Sequence, residues 1–151
     1  MERITITDAT ESEKEWTANQ IAASEPWLTL GTTLENCLWF CKNPEYMIFI
    51  AHIDEKPCGA VVIHPRGLAS SPYLKSIVVA EPYRNKGIGR ELVKHGEDHF
   101  RTASKHFFLC VSSFNKKARA LYKQLGYRKV GEFKDYVIEG ESEILLHKRL
   151  R

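Results

Sequence analysis

Hydrophobic and polar residues recur with two different periods along the chain, and the changes of period predict where strands and helices lie. Alternation with a period of two is typical of strands, whereas apolar residues three and four apart are typical of a buried helix face. In the first half these patterns predict a strand, two helices and a hairpin at residues 3–7, 11–23, 33–42, 46–53 and 59–64. Asp8 or Thr10 is suited to cap the first helix.

The second half alternates strands with helices. The predicted elements are a strand at 73–79, a helix at 87–103, a strand at 106–112, a helix at 115–125 and two last strands at 127–133 and about 143–148. Pro65, Gly67 and Pro72 predict a loop over residues 65–72, because proline and glycine interrupt regular structure. This order indicates a mixed α/β fold with one central sheet covered by helices.

The most informative element boundary joins the strand at 73–79 to the next helix. The β-branched run from Ile77 to Val79 stops at Glu81-Pro82, and a short basic loop with two glycines, from Arg84 to Gly89, opens the helix. Glycines let the backbone approach a ligand, and the amides and dipole of a helix N-terminus attract anions. The same residues also suit a plain strand-to-helix turn with surface charges.

The glycine spacing excludes two common phosphate-binding motifs. A dinucleotide fingerprint needs a third glycine where Leu92 stands, and a Walker loop needs Lys followed by Ser or Thr, whereas Ile88 and Arg90 follow the two glycines. What remains is Arg-x-x-Gly-x-Gly, from Arg84 to Gly89. This pattern resembles the pyrophosphate-binding motif of the GCN5-related N-acetyltransferases, where it holds coenzyme A.

A second motif lies one strand downstream. The pattern Asn-x-x-Ala-x-x-Leu-Tyr-x-x-x-Gly-Tyr runs from Asn115 to Tyr127, with Asn115 placed to cap a helix and Gly126 placed to end it. It resembles the other signature of the same family, in the same order and at the usual separation. The two motifs cover residues 73–133, and the rest of the chain matches only in its rhythm of elements.

The resemblance implies a single N-acetyltransferase domain over residues 1–151, with a mixed, mostly antiparallel sheet that splays open beside the coenzyme. It implies acetyl-CoA as co-substrate and direct attack by a primary amine in a ternary complex. The positions expected to contact the coenzyme are Ile77, Val78, Val79, Arg84, Asn85, Lys86, Gly87, Ile88, Gly89, Arg90, Asn115, Ala118 and Tyr122. The strand would pair with the pantetheine arm, and Arg84 and Lys86 would add charge near the pyrophosphate.

Tyr122 matches the family's tyrosine, whose phenol is expected beside the thioester sulfur. A phenol with a pKa near 10 is protonated at pH 7 and can donate to the leaving thiolate. Tyr122 also fits the apolar face of a short helix as a core residue. No glutamate stands at either position where some relatives carry a general base, since Tyr73 and Cys110 stand there. The alternatives for this role are Glu81, His64 and a water held by Ser112.

The acceptor is expected to contact the first third of the chain. Glu25 and Trp27 place a carboxylate and an aromatic ring in a segment that often borders the acceptor in such folds, and Trp39 and Phe40 follow. These side chains suit a partly apolar, cationic amine, although the aromatic ones equally suit the core. Asp135 is a second carboxylate candidate. A peptide or protein α-amino group and a small polyamine-like amine are the two leading acceptors.

Composition and charge narrow the class of protein. Of the 151 residues, 43% are hydrophobic and 27% charged, which is ordinary for a soluble globule. A net charge of +3 suits an anionic ligand but is too small to indicate nucleic-acid binding. No apolar run is long enough to span a membrane, and the N-terminus does not resemble a signal peptide.

The four cysteines fit no metal site, because Cys37, Cys41, Cys58 and Cys110 lack the paired spacing of zinc ligands. Reduced thiols in the cytoplasm are therefore expected, with Cys110 packed as a small hydrophobe. No metal, nucleic acid or membrane partner is expected, and a homodimer stays open. The alternative function is a non-catalytic acyl-CoA-binding module that kept the glycine turn without the chemistry.

Overall fold

The computed structural model describes residues 3–151. Met1 and Glu2, which begin the segment judged above not to resemble a signal peptide, lie outside that range. In chain order the elements are β1 (Thr5–Asp8), α1 (Glu11–Ala22), α2 (Trp27–Leu30), α3 (Leu34–Lys42), β2 (Met47–Ile53), β3 (Lys56–Leu68), β4 (Ser71–Val79), a 3-10 turn (Glu81–Tyr83), α4 (Ile88–Phe100), β5 (His106–Ser112), α5 (Lys116–Gln124), β6 (Arg128–Lys134) and β7 (Ser142–Arg149). None of the helices in the described range is long and apolar enough to cross a membrane.

The seven strands form one sheet in the order β1-β2-β3-β4-β5-β7-β6. Every neighbouring pair is antiparallel except β4 and β5, which run parallel. α3, α4 and α5 lie against the sheet because each carries an apolar stripe that has to be buried. The predicted fold class, a mixed and mostly antiparallel sheet flanked by helices, is confirmed.

The parallel pair opens a gap in the middle of the sheet. β4 and β5 share only two register positions, Tyr73 opposite Phe108 and Leu74 opposite Leu109. Beyond Leu74 the edge of β4 that faces β5 has no strand partner within the described residues. Backbone N–H and C=O groups along such an edge can bind an extended ligand as an added strand does. The opening expected from the family resemblance is therefore present.

Two apolar clusters fill the space on the two sides of the sheet. The larger cluster joins α4 and α5 to the sheet through Ile88, Leu92, Val93, Tyr122 and Leu125, among others. The smaller cluster joins α1 and α3 to it through Ala18, Ile21, Cys37, Phe40 and Cys41, among others. Because α4 and α5 belong to the same cluster, packing sets the position of the glycine turn relative to Tyr122.

Residues 65–72 correct the sequence prediction. The predicted loop is instead the end of β3 and the start of β4, joined by a tight turn at Ala69-Ser70, where φ is 50° and 62°. Pro65 and Pro72 are tolerated because the register between the two strands shifts after His64, so neither proline has to donate a ladder hydrogen bond. The low strand propensity of proline and glycine indicated that the strand ends at His64. Pairing between β3 and β4 outweighed that local preference.

Candidate active site

The glycine turn between β4 and α4 lines an open cavity of about 320 Å³. Gly87 has φ of 83°, a conformation that favours glycine, and it precedes α4 without a side-chain hydrogen bond to cap the helix. The first amide groups of α4, from Ile88 to Arg90, have no acceptor within the helix. Together with the positive end of the helix dipole, these amides favour an anion at this end of the cavity.

Gly89 keeps the space beside these amides open. A Cβ atom at this position would lie 3.9 Å from side-chain carbons of Ile77 and Val79 and 4.0 Å from Leu121. All three residues line the cavity, so a longer side chain at Gly89 would enter the cleft between β4 and α5. The donors and the open space fit a diphosphate held by the backbone.

Along the edge of β4 that has no strand partner in the described part of the chain, the backbone groups of every second residue face the same cavity. The Ala80 N–H donates to Cys58 O of β3 at 2.9 Å, so Ile77 and Val79 direct their backbone groups to the other side. Val79 O accepts the Arg84 Nε–H at 3.0 Å. The backbone groups of Ile77 and the Val79 N–H are therefore the ones placed to pair with an extended ligand.

The residues predicted to hold the coenzyme are brought together, with one exception. All of them line this cavity except Lys86, which lies over the Tyr83 ring at 5.9 Å from its centroid. Lys117 Nζ donates to Asn85 Oδ1 and connects α5 to the glycine turn. The roles of these residues toward the coenzyme stay predictions.

Asn115 and Tyr122 occupy the two ends of the α5 motif. The Asn115 side chain accepts the Ala118 N–H at 3.2 Å and caps α5, as predicted. Tyr122 is only 4% exposed, and burial raises the pKa of its phenol. Its hydroxyl makes no hydrogen bond with another residue in the described range. A protonated phenol is thus available to donate to a bound group.

Tyr122 also borders a second, larger cavity of about 590 Å³. The residues that line both cavities are Glu25, Trp27, Ile77, Asn115, Ala118 and Tyr122. The second cavity has aromatic walls from Trp27, Phe40, Tyr73, Phe133 and Tyr136, and its charged lining residues are Glu25, Lys75 and Glu143. Aromatic walls suit a partly apolar molecule, and carboxylates suit a cationic group.

The predicted acceptor residues divide between the cavity and its surroundings. Glu25 and Trp27 line both cavities, but the Glu25 carboxylate accepts the Thr29 N–H at 2.8 Å and also the Thr29 hydroxyl. Phe40 lines the larger cavity, whereas Trp39 is 66% exposed and lies outside it. The Glu25 carboxylate therefore braces α2, which leaves it less available to a ligand than its position suggests.

Most of the general-base candidates lie away from both cavities. Glu81 is exposed in the 3-10 turn, and His64 Nε2 lies 3.6 Å from a carboxylate oxygen of Glu45. Asp135, the second carboxylate candidate for acceptor binding, accepts the Gly140 N–H at 2.6 Å and belongs to the β6–β7 turn. None of these side chains lines the larger cavity.

Tyr73 and Cys110 stand at the two positions where the family resemblance led us to expect a general base, and both line the larger cavity. Burial is the main cause that raises the pKa of the Tyr73 phenol and of the Cys110 thiol. Both groups are therefore protonated at neutral pH and neither supplies a base. Cys110 was expected to pack as a small hydrophobe, and it is half-buried on β5 with part of its surface lining the cavity.

Glu143 is the cavity residue that sequence reasoning missed. It lies on β7 directly opposite Ser112 of β5, and the Ser112 hydroxyl donates to Glu143 Oε2 at 2.6 Å. Ser112 itself is buried at 3% exposure and lines the cavity. The sequence shows only that Glu143 is a charged residue at the start of a strand otherwise rich in Ile and Leu. It does not show that Ser112 lies opposite, because that depends on how β5 and β7 pair.

Comparison with known proteins agrees with the family resemblance found in the sequence. Residues 9–127 match a family model described as the acetyltransferase (GNAT) family. A thialysine N-epsilon-acetyltransferase of Sus scrofa is 38% identical over 118 residues, 68% of this chain and 69% of that protein. An N-alpha-acetyltransferase of Saccharolobus solfataricus is 32% identical over 116 residues, 68% of each chain. A probable N-acetyltransferase 14 of Xenopus tropicalis is 33% identical over 86 residues, and the match spans 42% of that protein.

Solved structures share the fold at low sequence identity. The ribosomal-protein-S18-alanine N-acetyltransferase from Escherichia coli has a TM-score of 0.80 and 20% identity, with 98% of this chain and 94% of that chain covered. An aminoglycoside 6'-N-acetyltransferase complexed with coenzyme A has a TM-score of 0.78 and 18% identity, with 97% of both chains covered. At such identities the likeness concerns the arrangement of strands and helices.

Proposed function

Because the chain belongs to the GNAT acetyltransferase family and is therefore an acetyl-CoA-dependent acetyltransferase, we propose that it acetylates a primary amine bound in the larger cavity. The observation that carries this assignment is the position of Tyr122. The Tyr122 phenol lies on the wall that the two cavities share. The smaller cavity contains the glycine turn suited to a phosphate, and the larger one has aromatic walls and carboxylates. Two ligands can therefore be bound together, which supports direct attack in a ternary complex.

The first cavity is assigned to the coenzyme. The amides from Ile88 to Arg90 would hold the diphosphate, and the backbone of Ile77 and Val79 would pair with the pantetheine arm. Acetyl-CoA supplies an acetyl group already activated as a thioester. Tyr122 would donate its hydroxyl proton to the sulfur as the thiolate leaves, and its burial keeps that proton in place at neutral pH.

The acceptor proposed for the second cavity is a partly apolar primary amine. A peptide or protein α-amino group is the first choice, and a small polyamine-like amine is the second. The aromatic walls and the carboxylates of the cavity support both. Relatives of the chain are named for α-amino and for thialysine ε-amino acetylation, so the family relationship is also compatible with either.

A cytoplasmic location is proposed from the cysteines. Cys37, Cys41 and Cys110 are free thiols, and burial, followed by the proximity of Cys37, raises the pKa of Cys41 to about 12. A pair of buried, unreactive thiols four residues apart suits a reducing compartment.

The direct test combines coenzyme binding with turnover. Acetyl-CoA should stabilise the fold by roughly 2.7 kcal/mol at a concentration 100 times its Kd, and thiol release should require an amine from a panel of free-N-terminus peptides and polyamines. Stabilisation without turnover on any amine would instead support the non-catalytic acyl-CoA-binding module.

Gly89→Asp tests the phosphate site. An aspartate in the first turn favours the helix through its dipole, so the fold should persist, while the charge repels the diphosphate. Stabilisation by acetyl-CoA should be lost in thermal unfolding. Gly89→Asn is the matched control, because it has nearly the same size without the charge and should keep part of the stabilisation. Equal binding by Gly89→Asp and the natural protein would contradict the assignment of the turn.

A further inference from the structure

The acceptor cavity contains a carboxylate–hydroxyl pair that the coenzyme site does not use. Glu143 and Ser112 are opposite each other in the β5–β7 ladder, so backbone hydrogen bonds fix where both side chains begin. The Ser112 hydroxyl donates to one carboxylate oxygen of Glu143 at 2.6 Å. A carboxylate has about four acceptor positions, so this single hydrogen bond leaves Glu143 able to accept from a bound ligand.

The other polar groups of the cavity are less suited to receive a proton. Glu25 is engaged twice by Thr29, and Tyr73 and Cys110 keep their own protons because they are buried. Lys75 is exposed and cationic. Among the residues described around this cavity, Glu143 is therefore the carboxylate that is both oriented by a neighbour and open to the ligand.

We propose that Glu143 binds the ammonium group of the acceptor and takes up its proton, and that Ser112 is the positioning residue for this carboxylate. The proposal rests on the acetyltransferase function stated above. It assigns the base to β7, whereas the positions on β4 and β5 at which the family resemblance would place a base hold Tyr73 and Cys110. A carboxylate supplied by the neighbouring strand can serve the same cavity from the other side.

The proton balance of the step is complete with the residues named. Glu143 takes one proton from the ammonium form, directly or through one water, and leaves a neutral amine. The nitrogen lone pair then forms the bond to the acetyl carbon while the carbon–sulfur bond breaks. Tyr122 gives its hydroxyl proton to the departing sulfur and becomes a phenolate. The new amide nitrogen still carries one proton too many, and this proton passes to the Tyr122 phenolate. Glu143 finally releases its proton to solvent.

The test compares Glu143→Gln with a matched neighbour, Glu141→Gln. Glu141 accepts the Ser113 hydroxyl much as Glu143 accepts that of Ser112, but it does not line the cavity. The probes are a peptide with a free N-terminus and spermidine, assayed from neutral to alkaline pH. Glu143→Gln should lower kcat/KM for the amine on the order of 100-fold at neutral pH, while Glu141→Gln should match the natural protein.

The pH profile separates proton transfer from a loss of packing. Without the carboxylate only the amine that is already neutral reacts, so the defect of Glu143→Gln should shrink as the pH approaches the pKa of the amine. Lys75, Glu25, Tyr73 and Cys110 also face this cavity and are common to both proteins, so the difference between profiles reports Glu143. Ser112→Ala should show the same trend with a smaller loss.

Three results would overturn the proposal, and they are distinguishable from one another. Equal kcat/KM for Glu143→Gln and the natural protein at every pH removes Glu143 from the reaction and leaves the acetyltransferase function intact. The same loss at every pH assigns Glu143 a structural role. If the natural protein is stabilised by acetyl-CoA but acetylates neither probe nor any amine of the panel, the proposed function falls as well. Stabilisation by acetyl-CoA should be unchanged in all three variants.

Discussion

Tyr122 carries the only hydroxyl on the wall shared by the two cavities within the described residues. Its ring packs edge-on against Tyr127, with centroids 5.6 Å apart, so the phenol is held in one orientation by the core. The interpretation of Tyr122 as a core residue is therefore supported, and its role toward the thioester stays a prediction. The ring is a core residue, and the hydroxyl is the polar end of that residue at the junction.

Tyr122→Phe removes the hydroxyl and leaves the ring packing. We expect folding and stabilisation by acetyl-CoA to survive, and kcat with a good amine to fall on the order of 100-fold, because the leaving thiolate loses its proton donor. Steady-state kinetics with saturating coenzyme measures this. An unchanged kcat would mean that the hydroxyl has no part in thiolate release and that Tyr122 serves packing alone.

At the scale of elements, local signals in the sequence were sufficient to predict the strand, the turn and the two helices that surround the smaller cavity. The β-branched run at Ile77, the glycines at 87 and 89 and the cap at Asn115 act over a few residues, so their spacing predicts strand, turn and helix. The pairing of strands joins residues that are far apart in the chain, so the sequence pattern did not predict it. β3 continues through Pro65, and Glu143 meets Ser112 only because β7 pairs with β5.

A buried ion pair connects α4 to the last strand. Glu97 is 2% exposed and accepts hydrogen bonds from Lys148 Nζ at 3.0 and 3.1 Å and from the Tyr127 hydroxyl at 2.8 Å. The glycine turn precedes α4, and this ion pair connects the C-terminal part of α4 to β7. No sequence pattern indicated this pairing, because the three residues are far apart in the chain.

Lys148→Met should destabilise the fold because it leaves the Glu97 carboxylate buried without its cation. Breaking a buried pair costs about 3 kcal/mol or more, and the partial exposure of Lys148 favours the lower end of that range. Glu97→Gln should cost less, since Lys148 can reach solvent and the Tyr127 hydroxyl keeps an acceptor. Urea unfolding of both variants measures the difference.

Lys42→Met is the matched control for that experiment. Lys42 pairs with Glu15 at 2.7 Å on the surface, where water already solvates both charges. Its loss should change the free energy of unfolding much less than the loss of Lys148. If the two lysine variants are equally stable, the Glu97 pair contributes nothing beyond a surface contact.

At the scale of the whole molecule, several titratable groups respond to acid in the same direction. Burial, followed by the proximity of His99, lowers the pKa of His95, although Asp98 and Asp8 oppose this. Burial, followed by His106 and Arg149, lowers the pKa of His147. The Glu13 carboxyl is partly buried, which opposes ionisation, but hydrogen bonds from Thr10 and His52 prevail and lower its pKa.

The sign of the pH dependence follows from these directions. A histidine with a lowered pKa binds fewer protons in the folded than in the unfolded state, so stability falls as the pH drops below the ordinary value of 6.5. A carboxyl with a lowered pKa contributes stability above its ordinary value of 4.5, and that contribution is lost as the pH falls through its folded pKa. Both effects act in the same direction, and the histidines act first.

The Tm should therefore fall in two steps as the pH is lowered, first from about 7 to 5 and again below about 4.5. His147→Gln should reduce the first step, because glutamine can still form a hydrogen bond with His106, whose Nδ1 lies 2.8 Å from His147 Nε2, but cannot gain a proton. The second step should persist in that variant, and Glu13→Gln should reduce it instead. Thermal unfolding across a pH series measures both. A Tm that is constant between about pH 7 and 5 would show that protonating His95 and His147 costs the folded state nothing.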